Sequence, residues 1–250
     1  MKQYGAILLT VAVMTAVSGT PWASDGGSVR VDYRDPPRSY IESPFERRVI
    51  RVERQLHEED PELEKKALAR LESSLALIMR SLPESARPSL AQVPIYLMYG
   101  VKAKAGGRPS GAQYFRPNEI ARGPWLDEHW GGSLVVYSAK NYAQLSDVWA
   151  AKLIAHELAH AYHFSHFPER QPDIVAAHRN AVSRKLYRQV PTRSGKIVEK
   201  GYALSRPPEY FAELSAMYFV GGNYFPYDRE GLKSYDPAGY AVVEKLWGIR

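Results

Sequence analysis

The segment His156-Glu157-Leu158-Ala159-His160 has the residue types and spacing that most directly imply chemistry in this 250-residue chain. Histidines four apart lie on one side of a helix, about 40° apart around the axis and about 6 Å along it. Their ring nitrogens can share one metal ion. Glu157 falls about 100° from His156, beside the metal rather than on it. Zinc lowers the pKa of a bound water toward about 7, so a neighbouring carboxylate can take its proton at neutral pH. The chain has no cysteine. Disulfides, thiolate catalysis, iron–sulfur clusters and Cys-anchored lipids are therefore excluded, and a metal must be held by His, Asp and Glu. Leu153, Ile154, Ala155, Leu158, Ala159 and Ala161 make the surrounding helix apolar nearly all round, which predicts burial. Two histidines and a glutamate in a buried helix need partners.

Three residues compete to be the third ligand. His163 shares the face of His156 but lies about 10.5 Å along the axis, which suits packing rather than the same ion. His166 completes the spacing HExxHxxxxxH, and Ser215-Ala216-Met217-Tyr218 resembles a Met-turn. That pattern wants a helix-breaking glycine at 163, where this chain has His163, and nothing interrupts the helix before Pro168. An unbroken helix sets His166 about 15 Å from His156. Glu209, in Glu209-Tyr210-Phe211-Ala212-Glu213, opens a second apolar helix. Glu209 and Glu213 share one face, and Ala212 and Ala216 permit close helix approach. A buried acidic pair needs a cation or donors. The economical arrangement puts Glu209 on zinc and lets Glu213 accept the second N–H of a ligating histidine.

HExxH followed by a helical glutamate ligand resembles the gluzincin pattern. The stretch Tyr202-Ala203-Leu204-Ser205-Arg206-Pro207-Pro208-Glu209-Tyr210-Phe211-Ala212-Glu213 is similar to the lethal-factor-type branch, where a Tyr stands seven residues before E-[FY]-F-A-E. More loosely, residues 150–250 resemble exported metallopeptidase-like proteins with HELAH and EYFAEL motifs. The likeness covers the two motif blocks, and nothing upstream of 130 carries it. It implies zinc as cofactor, Glu209 as ligand, Glu213 as the second carboxylate, and the Tyr202 hydroxyl as the group that stabilises the oxyanion. It also implies a zincin-like α+β fold with a small sheet packed on the active-site helix and a mostly helical C-terminal part. The resemblance implies a peptide or protein substrate cleaved within the chain, its extended backbone pairing with the 133–138 strand if that strand is an exposed sheet edge.

The elements that must position these residues follow from local signals. Asp60-Pro61-Glu62 starts a helix that Leu63, Ala67, Leu71, Leu75 and Ile78 continue, and Pro83 ends it. Short strands are expected over 93–99 and 134–137, with a long loop containing hairpin pieces over 100–132. Helices are expected over 146–167, 172–189, from Pro207 to about Gly221, and 237–247. Helix, sparse strands, then mostly helices argues α+β.

Residues 1–23 read as an export signal: Lys2, then an apolar run over 6–17 too short to span a bilayer. The folded part, a catalytic domain over 56–250, is thus expected outside the cytoplasm, periplasmic or extracellular. Formal net charge is +6, and Arg30, Arg34, Arg38, Arg47, Arg48, Arg51 and Arg54 concentrate it early. Residues 24–55 read as a basic, partly disordered arm, suited to electrostatic contact with an anionic envelope. No nucleic-acid motif accompanies it, so no nucleic-acid partner is expected. Other functions fit the same motifs: an inactive zinc- or peptide-binding zincin-like protein, a site using His166, or a hydrolase of a non-peptide amide.

Overall fold

The computed structural model describes residues 31–46 and 48–249. In chain order the elements are β1 (Tyr40–Phe45), β2 (Arg48–Glu53), α1 (Arg54–Glu59), α2 (Pro61–Ser81), α3 (Arg87–Ala91), β3 (Ile95–Leu97), β4 (Ala112–Tyr114), β5 (Leu134–Val136), α4 (Ala139–Gln144), α5 (Asp147–His166), α6 (Pro172–Ser183), β6 (Arg188–Pro191), β7 (Ile197–Lys200), α7 (Pro207–Phe219), α8 (Arg229–Tyr235) and α9 (Pro237–Trp247). The fold is α+β.

Five strands form one mixed sheet in the order β1-β2-β3-β5-β4. β2, β3 and β5 run parallel, with Ile95 opposite both Ile50 and Leu134. β1 and β4 are the antiparallel edges. Strand alternation splits the sheet's side chains between two layers. Ile50, Val52, Ile95, Leu97, Leu134 and Val136 face the helices and join the main core. Tyr96, Met98, Val135 and Tyr137 face the other way, where Tyr33, Phe115, Ile120 and Trp130 from the loops cover them. The α5 helix is sandwiched between α2 and α7, so every residue from Ala150 to His163 is buried.

The helix starts follow the expected chemistry. The Asp60 side chain accepts from the Leu63 N–H, and Pro61 occupies the first turn of α2. The Ser146 side chain accepts from the Trp149 N–H and caps α5. Pro207 and Pro208 open α7, which brings Glu209 into its first turn.

Three expectations need correction. The basic arm over 24–55 is ordered structure wherever it is described. Tyr40–Phe45 pairs with Arg48–Glu53, which pairs in turn with β3, and α1 follows directly. A buried ion pair anchors the start: Arg38 Nη1 lies 2.8 Å from Glu53 Oε1, and Glu53 Oε2 accepts the Tyr99 N–H at 2.7 Å. The 133–138 strand is not an edge either. β5 lies between β3 and β4, so its hydrogen-bonding directions are filled. The edge beside it is β4, within the expected 100–132 loop. The helix expected to reach 189 stops at Ser183, and the chain turns through positive φ at Lys185, Tyr187 and Gln189 into the β6–β7 hairpin. Arg47 and the export signal lie outside the described residues.

Candidate metal centre

Two helices build the site. α5 supplies His156, Glu157 and His160, and α7 crosses it with Glu209 and Glu213. Three atoms converge: His156 Nε2 and His160 Nε2 lie 3.1 Å apart, and Glu209 Oε2 lies 3.1 and 3.0 Å from them. This buried triad is a group able to hold a metal ion.

The donor chemistry fits a divalent cation. His156 Nδ1 lies 3.0 Å from Glu213 Oε1. With its proton on Nδ1, His156 turns the Nε2 lone pair toward His160 and Glu209. Three lone-pair donors facing one another are mutually repulsive unless a proton or a cation lies between them. Without a cation, protons take that role. Burial works against charging His156, yet Glu209 and Glu213 push it up to about 10. Burial likewise opposes ionisation of Glu209, but the two imidazoles hold it well below the usual carboxylate range. Arg206, the residue before α7, occupies the other oxygen: its Nη2 and Nε lie 2.8 and 3.1 Å from Glu209 Oε1. Glu209 therefore presents one oxygen to the imidazoles and the other to a guanidinium.

Glu157 is beside this triad and not part of it. Its Oε2 accepts the backbone N–H of Tyr114, on edge strand β4, at 2.8 Å. Its Oε1 is buried without a hydrogen-bond partner. Burial raises its pKa, against the pull of His156 and His160. Tyr202 stands in a 3₁₀ turn just before α7, with its ring stacked on His156 at 5.7 Å between centroids. Burial and the nearby Glu209 and Glu157 raise its pKa, so the hydroxyl stays protonated. The ring of Phe164 stacks on His160, also at 5.7 Å.

Glu213 is gripped from three directions. Besides His156, Lys152 Nζ lies 2.6 Å from its Oε1, and the Tyr224 hydroxyl donates to its Oε2 at 2.6 Å. Burial opposes ionisation, but Lys152 and His156 bring Glu213 down to about 2. Tyr224 also accepts the N–H of Ala203 at 3.3 Å, so the turn bearing Tyr202 and the carboxylate behind His156 share one phenol.

All six residues expected at the site thus gather there: His156, Glu157, His160, Tyr202, Glu209 and Glu213. The two rival histidines do not. α5 runs unbroken to His166, whose Nδ1 lies 2.9 Å from the Tyr162 carbonyl and whose ring stacks on Tyr162. His163 packs against Phe211, with Nε2 3.1 Å from the Pro168 carbonyl, and burial lowers it to about 4. Met217 lies inside α7, not in a turn. Arg206, Lys152, Tyr224 and Tyr114 are participants that sequence reasoning did not single out. Lys152 had a signal: it stands four residues before His156 on an otherwise apolar helix. No family model, curated protein or solved structure matches the chain.

Proposed function

We propose that the chain is a zinc-dependent peptidase of the gluzincin type, with a zincin-like fold and a likeness to the lethal-factor-type branch. One observation carries this reading. His156, His160 and Glu209 converge within 3.1 Å while Glu157 stays outside their group with one buried oxygen uncommitted. Structural zinc sites close with four protein ligands, whereas three leave a position for water or substrate. Among the described residues the group contains three.

His156, His160 and Glu209 would hold the zinc, which when bound would supply Lewis acidity toward a carbonyl and a water. The protein's own groups do the rest. The Tyr114 N–H fixes Glu157 through Oε2, leaving Oε1 to accept the proton of the attacking water. Glu157 then returns that proton to the leaving amine nitrogen, so the C–N bond breaks without expelling an amide anion. The protonated Tyr202 hydroxyl donates to the carbonyl oxygen as it gains negative charge. Strand pairing at 133–138 plays no part, because β5 is internal. Ala112 on the true edge is fully buried.

Glu157→Gln separates the roles. It should keep zinc and lower hydrolysis of a peptide panel by about 10²–10⁴-fold. Loss of zinc together with activity would assign Glu157 a structural role. Undiminished hydrolysis would remove it from the reaction. The same reading takes the chain to be exported, with peptides or proteins as substrates.

A further inference from the structure

A lysine is buried where a metal site has little use for one. Lys152 and Glu213 are both fully inaccessible, 2.6 Å apart. Lys152 precedes His156 by one helical turn on α5, and Glu213 follows Glu209 by one turn on α7. The ion pair thus lies directly behind the metal-ligating pair His156 and Glu209, along the same helix crossing. Burying two charges costs several kcal/mol each before their attraction is counted, and an apolar pair of similar volume is often at least as stable. Stability alone is therefore a poor reason for Lys152.

The geometry supplies a better one. Glu213 Oε1 lies between Lys152 Nζ and His156 Nδ1, at 2.6 and 3.0 Å. Its Oε2 is held by Tyr224. Both carboxylate oxygens are thereby fixed, and Oε1 is aimed at the far side of a ligating imidazole.

We propose that Lys152 is a positioning residue of the metal centre. Acting through Glu213, it fixes the orientation of His156. This rests on the reading of His156, His160 and Glu209 as metal ligands. It makes metal affinity depend on a cation outside the ligand set, through one carboxylate.

A double-mutant cycle on the full chain tests it, read by cobalt(II) affinity and by the visible absorption of the bound cobalt. Lys152→Met leaves a buried anion without its counter-charge, and Glu213→Gln leaves a buried ammonium. Each should weaken cobalt binding by about 10–100-fold and alter the absorption bands. The double variant Lys152→Met/Glu213→Gln removes both charges, and the Gln carbonyl still accepts from His156. It should bind cobalt more tightly than either single variant and recover most of the wild-type spectrum. Thermal unfolding of all four proteins accompanies the titrations. Should a single variant fail to fold, a folded, cobalt-binding double variant still upholds the proposal. Losses that add, or a double variant that does not fold, overturn it. A wild-type chain that binds no metal overturns the peptidase reading and this inference together, whereas metal binding with an additive cycle overturns the inference alone.

Discussion

At the scale of single residues, the site depends on which buried groups have partners. His163 shows how local that is. It stands one turn beyond His160 yet meets Phe211 and a carbonyl instead of the triad. Its folded pKa, about 4, lies below the usual 6.5 because burial disfavours the charged ring. On acidification the unfolded chain gains a proton near pH 6.5 and the folded chain does not until about pH 4. Stability present above pH 6.5 is therefore lost between those values, by about 3 kcal/mol. His163→Gln removes the titration, so its denaturation midpoint should fall less steeply than wild type from pH 6.5 to 4. Parallel curves would show that His163 does not titrate as its burial implies. Much of this scale was legible in the sequence. The two histidines, Glu157, Glu209 and Glu213 follow from helical periodicity and from the cost of burying acids without partners. Arg206 and Tyr224 were not legible. Arg206 looks like any polar residue before a helix, and Tyr224 is one of 17 tyrosines placed by a loop.

At the scale of elements, α5 and α7 carry the candidate metal group, and α9 braces both. Trp247 is almost fully buried, stacks on Tyr162 of α5 at 3.9 Å and donates through Nε1 to Ser215 of α7 at 2.9 Å. Trp247→Ala should cost about 3–5 kcal/mol in denaturant unfolding, by leaving a cavity and freeing the Ser215 hydroxyl. A loss below about 1 kcal/mol would mean that α9 is not part of the scaffold. Helices were readable because their ends are marked: Asp60-Pro61, Ser146, Pro172, Pro207-Pro208 and Asp236-Pro237 each combine a cap or a first-turn proline. The first two strands were not. Tyr40–Phe45 contains Pro44 and Glu42, and Arg48–Glu53 begins and ends with charges. β2 is held by pairing with β3, some forty residues away, β1 by pairing with β2, and the Arg38–Glu53 ion pair ties the segment before β1 to the end of β2. β4 was hidden for a similar reason: three residues in a glycine-rich stretch become a strand only by pairing with β5.

At the scale of the molecule, a metal bound at this group would link folding to the proposed function. The His156, His160 and Glu209 atoms come together only when α5 and α7 are packed, so an ion bound there stabilises the folded chain alone. Saturating zinc at a hundred times its dissociation constant should add about 2.7 kcal/mol. A chelator should correspondingly lower the unfolding temperature of the wild type and leave Glu209→Ala unmoved. Equal shifts in both would place the stabilising ion elsewhere. Among the described residues no helix is long and apolar enough to cross a membrane. The ordered β1 and β2 also narrow the region proposed for contact with an anionic envelope, because Arg38 and Arg48 are buried in the fold.

The most direct test is the metal content of the purified chain, by mass spectrometry, for wild type, Glu209→Ala and His166→Ala. About one zinc per chain is expected in wild type and in His166→Ala, with loss in Glu209→Ala. Zinc retained in Glu209→Ala, or absent from wild type after loading and dialysis, would contradict the account.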